Sequence, residues 1–183
     1  MFEQLEAFFE QPTAASYRAA RRQLLASCAT PVVSDLHALA RAVAKRRYRE
    51  AEALIDAMLP SWSLSPALHD LAARVASAAA DHDDLELERF MFSSCLDGIL
   101  DTGDGSHERP YLVTYLSDEY DVLAALRQRA CRQQTNETAQ GLVDEITCDD
   151  GSTVCFDVTD LLRRKTHVPT PHILSTRVAR PRI

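Results

Sequence analysis

For its first hundred residues the chain repeats one pattern, apolar side chains three and four positions apart, interrupted by prolines. That spacing buries one face of a helix and little else, so the region is predicted to be a set of packed helices. Phe2, Leu5, Phe8 and Phe9 form the first such stripe, and Pro12 stops it. Thr13 or Ser16 is placed to cap a second helix carrying Tyr17, Leu24 and Leu25, and Pro31 ends the link that follows. Ser34-Asp35 opens a third helix with Leu36, Leu39, Ala40 and Val43 on one side. A fourth, from Tyr48 to Leu59, carries Ala51, Leu54, Ile55 and Met58 before Pro60, and SWSLSP reads as a loop. A fifth runs from Pro66 to Ala80 with Leu68, Leu71, Ala72 and Val75 inward. A sixth, from Asp84 to Leu100, buries Leu85, Phe92, Leu96 and Ile99, with DHDD at Asp81 to Asp84 as its turn and N-cap. The links are short, which forces successive helices to lie antiparallel.

After Leu100 the period changes. DTGDGSHERP is a loop in which Gly103 and Gly105 are expected to supply positive φ, and YLVTYL reads as a strand. Ser117 caps a helix in SDEYDVLAALRQRA whose apolar stripe is Tyr120, Leu123 and Leu126. RQQTNETAQG is polar and reads as a connection. LVDEITCDDGSTVCFDV has the alternation of a hairpin, with Asp150-Gly151 as a type I′ turn. That turn sets Val143, Glu145 and Thr147 opposite Val158, Phe156 and Val154 as the more apolar face. Asp144, Ile146 and Cys148 then share the other face with Thr153, Cys155 and Asp157. The expected fold is α+β: a helical region over 1–100, a small antiparallel sheet with one helix over 101–160 as its cap, and a basic, proline-containing tail over 161–183.

Two resemblances attach to these segments. RRYREAEALIDAMLP is similar to the second half of a tetratricopeptide repeat, with Tyr48 and Ala51 at the family's aromatic and small positions. One period further on stand His82 and Leu85. From Leu96 to Val158 the chain resembles the bacterial family known as domain of unknown function 4919, through GILDTGDGSHERPYLVT, SDEYDVLAAL and TVCFDV in that order. The first likeness implies degenerate helical hairpins of a kind that hosts recognition. The second implies a C-terminal hairpin and no particular activity.

Composition narrows the function. With 46% hydrophobic and 26% charged residues among 183, the chain reads as globular, with no apolar run long enough to span a bilayer. The start, MFEQLEAFFEQP, has no basic region of the signal-peptide kind. Cys28, Cys95, Cys131, Cys148 and Cys155 are odd in number and scattered, as expected for free thiols in a reducing bacterial cytoplasm. Cys148 and Cys155 fall diagonally on one hairpin face, where only a strained disulfide could form, and free thiols are expected there too. The first 160 residues hold 14 basic against 27 acidic side chains, whereas the rest add six basic ones and no acid. Such a body repels a phosphate backbone and suits a basic protein partner, so neither nucleic acid nor membrane is an expected ligand.

Chemistry-bearing patterns are sparse. Ile99-Leu100-Asp101-Thr102-Gly103 is similar to the aspartic-protease signature, but a helical region precedes it and the strand content is too small for that fold. Asp101, Asp104 and Glu108 offer carboxylates without the alternating ligands of a calcium loop. The histidines (His37, His69, His82, His107, His167 and His172) lack metal spacing, and His69 and Asp70, as neighbours, do not face each other on a helix. The tail is read three ways, as a disordered basic terminus, a strand returning to the sheet, or a strand added to a partner. The expectation is a non-enzymatic protein-binding protein without catalytic residues, cofactor or metal. One version is an immunity or adaptor protein masking a basic toxin or effector. The alternatives are a metal-dependent enzyme using the Asp101–Glu108 loop, and a homo-oligomeric structural subunit.

Overall fold

Apolar stripes at helical spacing become antiparallel helix pairs in a computed structural model that describes residues 3–27 and 31–166. The helices are α1 (Glu3–Glu10), α2 (Ala14–Ser27), α3 (Val33–Ala44), α4 (Tyr48–Trp62), α5 (Pro66–Ala79) and α6 (His82–Leu100). Leu39, Ala51, Ile55, Leu68 and Ile99 are buried between them. Chain chemistry sets their ends. Ser65 accepts the Leu68 N–H at 3.3 Å with Pro66 in the first turn, and Asp81 accepts the Asp84 N–H at 3.1 Å. Ala80 takes a left-handed conformation (φ 56°) to close α5.

One helix outruns its expected stop. Pro60 lies inside α4, which continues to Trp62 and shortens the expected SWSLSP loop. Proline inside a helix costs roughly 3 kcal/mol. Here that is offset by burying Trp62, whose ring stacks on Tyr115 with centroids 4.7 Å apart and planes 14° from parallel.

The second half is a four-stranded sheet of order β1-β4-β3-β2, with β1 Tyr111–Leu112, β2 Ala130–Thr138, β3 Gly141–Cys148 and β4 Thr153–Asp157. With helices segregated to one side, the fold is α+β. The sheet differs from expectation in four ways. It is mixed, because β1 runs parallel to β4. The polar RQQTNETAQG segment is mostly strand β2, which the hydrophobic pattern could not signal because β2 lies at the exposed edge. YLVTYL pairs only at Tyr111 and Leu112: the Val113 carbonyl is taken by Arg21 Nε at 2.9 Å, and the Thr114 and Tyr115 N–H groups by Asp118.

The fourth difference is register. Val143 pairs with Asp157, Glu145 with Cys155 and Ile146 with Val154, one residue away from the two-residue-turn alignment. The Gly151 N–H donates to the Cys148 carbonyl at 3.0 Å and Gly151 has φ 85°, so three residues turn the chain instead of two. A one-residue slip reverses the faces. Asp144, Ile146 and Cys148 therefore join Val154 and Phe156 as buried side chains on one face, and Cys148 and Cys155 lie on opposite faces as free thiols.

Between β1 and β2 runs α7 (Asp118–Ala125). Its buried side is Asp118, Glu119, Val122 and Leu123, whereas Tyr120 is 55% and Leu126 39% exposed, which corrects the expected stripe. The last helix, α8 (Thr159–Thr166), crosses the expected start of the tail and packs Leu161 and Leu162 on the core. The tail readings for 167–183, and those for Phe2 and Cys28, fall outside the described residues. Among the described residues no helix is long and apolar enough to cross a membrane.

The stack of Trp62 on Tyr115 joins the two halves. Trp62→Ala is expected to lower unfolding free energy by about 3–5 kcal/mol in urea titrations followed by far-ultraviolet circular dichroism. A loss below about 1 kcal/mol would mean that Trp62 is not part of the cooperative core.

Candidate functional site: the acidic helix α7 and the groove beside it

The sequence DEYD places three carboxyl groups in the first turn of α7. Such residues usually sit in solvent beside the helix N-terminus, but here they are drawn inward. Asp118 Oδ2 accepts the Thr114 and Tyr115 N–H groups, each at 2.9 Å. Burial pushes its carboxyl well above the usual carboxylate range, against the opposing pull of those bonds. Glu119 faces the sheet and meets Asp144 of β3. A single side-chain nitrogen, Gln133 Nε2 from β2, donates to Glu119 Oε2 at 3.0 Å and to Asp144 Oδ2 at 2.9 Å. Burial first, and then the Asp144 charge, raise Glu119 to about 9, so at neutral pH it stays protonated beside Asp144.

Asp121 turns the other way. It borders a cavity of about 620 Å³ between α3, α5, α6 and α7, walled by Leu36, Leu71, Phe92, Leu96 and Ala125. Burial raises its carboxyl to about 6; the Ala67 N–H pulls it down, and the Asp70 charge adds to the rise. Asp70 lies on the same cavity and is bridged to Arg74 at 2.7 Å, with His37 across from it on α3. The result is an apolar groove with a negative edge at the junction of stack and cap. Its volume falls within the ordinary range of ligand sites.

His69 and Glu88 do meet, although sequence reasoning looked only at Asp70. His69 Nδ1 is 2.6 Å from Glu88 Oε2, and Nε2 is 3.0 Å from the Ser63 carbonyl. Ser63, His69 and Glu88 have the composition of a hydrolytic triad, but the wiring differs. A carbonyl only accepts, so Nε2 is committed as a donor and cannot take a proton from the Ser63 hydroxyl. The arrangement ties α5, α6 and the end of α4 together.

The loop after α6 bonds both to itself and to its neighbours, Arg18 Nη2 donating to the Thr102 carbonyl at 2.7 Å and the Cys155 N–H to the Gly105 carbonyl at 2.9 Å. Asp101 caps α6, its N–H donating to the Asp97 carbonyl at 2.8 Å. Thr102 Oγ1 donates to the Ile99 carbonyl at 2.6 Å and accepts the Leu112 N–H at 2.8 Å. The Asp104 carboxyl is held below its usual range by hydrogen bonds from Ser106 and lies 3.5 Å from Arg109. Gly103 does not use positive φ as expected; it is needed because a Cβ there would come within 2.3 Å of the Arg109 carbonyl oxygen, and Gly105 alone of the two has φ 74°. Among the described residues no group of three or more His, Cys, Asp or Glu side chains is placed to hold a metal ion.

Sequence reading missed Glu119, Gln133 and Asp144, since each looks solvated in its own segment. The one available signal was DEYD itself, an acidic turn denser than a cap requires. No family model, curated protein or solved structure matches the chain.

Between the ordinary 4.5 and about 9, folded Glu119 holds a proton that the unfolded chain releases. Its contribution to stability is therefore full below the lower value and falls as pH rises, by about 3 kcal/mol at pH 7. Glu119→Gln is expected to match the parent near pH 4.5 and to melt higher than it at pH 8, in calorimetric scans across pH. Equal melting shifts at both pH values would contradict a protonated Glu119.

Proposed function

We propose that the chain is a non-enzymatic protein-binding module that takes a basic, apolar-faced segment of a partner in the groove between α3, α5, α6 and α7. The observation carrying this reading is the joint presence of apolar walls (Leu71, Phe92, Leu96) and a largely buried carboxyl, Asp121, on one cavity. Apolar walls supply affinity, and the carboxyl selects a Lys or Arg over a neutral or acidic side chain. The acidic body supports the same choice, because its field draws a basic partner toward the groove. In the Asp101–Glu108 loop, Asp104 is engaged by Ser106 and Arg109 and Thr102 by the ends of α6 and β1, which gives the enzymatic alternative no comparable support.

Selection of random displayed peptides on the full chain is expected to enrich sequences with Lys or Arg among helically spaced apolar residues. Ala125→Trp, which fills the groove from an exposed position, should abolish their binding without lowering the melting temperature. Enriched peptides that are acidic, or that bind the Ala125→Trp chain equally, would refute the reading. Because Asp121 titrates near 6, binding to the selected peptides should weaken as pH falls from 7.5 to 5. Asp121→Asn should be about tenfold weaker at pH 7.5 and nearly pH-independent over that range in fluorescence anisotropy titrations.

A further inference from the structure

Helix α6 is apolar on two nearly opposite sides. Phe92 and Leu96 face the groove described above. Met91 faces a second cavity, of about 410 Å³, whose walls include Leu5 and Phe9 of α1 and Leu59 of α4. Leu87 and Phe90 stand four and one residues before Met91, and each is 46% exposed. At three- and four-residue spacing, Leu87 is a surface neighbour of both Phe90 and Met91, so the three make one apolar strip leading into the cavity.

The reason for the exposure is how far the α1–α2 hairpin reaches. It covers the C-terminal half of this face, where Ser94, Cys95 and Gly98 are buried. A Cβ on Gly98 would lie only 2.9 Å from the Tyr17 ring and 3.0 Å from that of Phe8. The N-terminal half has no such cover. A helix that is apolar on both sides ordinarily has both sides buried, and large exposed side chains beside an open cavity mark an interaction surface.

Charge identifies the occupant. The described part of α1, EQLEAFFE, has three glutamates and no basic residue, and Glu6 borders the cavity itself. Asp83 and Asp84 fill the first turn of α6, Glu86 adjoins Leu87, and Arg89 lies 3.0 Å from Glu86. A second copy docking through this same face would bring the same acids against these and be repelled, whereas lysines or arginines flanking apolar anchors would be drawn in. We infer that the α1–α6 face, with Leu87, Phe90 and Met91 beside the Glu6 cavity, is a second docking surface for a basic segment of a protein partner. It is separate from the groove and does not depend on the groove being used. If both are occupied, α6 stands between two bound segments and the chain acts as a bridge.

The test uses the full chain and a synthetic amphipathic peptide with leucine on one helical face and lysine on the other. Its counterpart with glutamate in place of lysine serves as control. Calorimetric titration of the parent chain is expected to give two equivalents of the lysine peptide. Leu87→Ser/Phe90→Ser should lose one of them, and Ala125→Trp the other. Glu6→Lys, a change at an exposed position that leaves the apolar strip intact, should weaken the same equivalent as the serine pair by about tenfold, and it decides the matter if the serine pair unfolds. An unchanged stoichiometry in both α1–α6 variants would overturn the inference and leave the groove standing. Loss of effect in Ala125→Trp alone would sink the groove and leave this surface. Equal binding of the glutamate peptide, or a dimer in light scattering that Leu87→Ser/Phe90→Ser dissolves, would also overturn the assigned partner.

Discussion

Everything in this molecule hangs on the short stretch from Val113 to Asp118, where the chain leaves β1 and enters α7. Its backbone polar groups are buried, and a buried polar group without a partner costs about 1–3 kcal/mol. Several of its donors and acceptors are met by groups from distant parts of the chain. Arg21 of α2 donates to the Val113 carbonyl at 2.9 Å and bridges to Asp160 of α8 at 2.6 Å. Tyr17 of α2 shares a 2.8 Å hydroxyl contact with Thr114. Asp118 accepts the Thr114 and Tyr115 N–H groups, while the Tyr115 hydroxyl donates to the Ser61 carbonyl at 2.9 Å. The helical stack and the sheet are thereby one core, with this turn as the seam.

That seam explains why α7 carries carboxyl groups on its buried side. Asp118 serves as the acceptor that the turn requires, and Glu119 and Asp144 meet across Gln133 because β2 adds a polar layer beyond β3. Burying such groups is less favourable than burying apolar ones of the same size, and their value lies in fixing one arrangement. Here the arrangement sets the position of α7, and α7 is one wall of the groove. The acids that define the fold and the acid that borders the groove thus share the first turn of one helix, pointing in different directions.

Helix α6 plays the corresponding part on the helical side. Its C-terminal half is covered by the α1–α2 hairpin, and its N-terminal half lies along α5 with Leu87 and Phe90 left exposed. The His69–Glu88 contact to α5 and the Asp81 cap hold that half in place. Binding surfaces on rigid, buttressed helices lose little conformational entropy on association.

Much of the helical half was legible in the residues. Prolines and apolar stripes placed six helices to within a few positions, because helical burial is a local property with a fixed period. The overrun past Pro60 was not legible, since only the packed position of Trp62 outweighs the proline. In the second half, the α+β class and a strand-rich end could be read from YLVTYL and the DDG turn, but the identity of the faces could not. Turn length decides register, register decides which alternate residues are buried, and a one-residue difference moved Asp144 and Ile146 inward. The edge strand β2 was invisible because a strand with no buried face needs no apolar pattern. What the sequence determined by itself is the helix periods, the stops and the acidic balance, all of them properties of neighbours along the chain. Only the tertiary structure decided that DEYD turns inward, that Gln133 lies between two carboxyl groups and that α6 shows two apolar faces, because each depends on which distant residue removes water from the site.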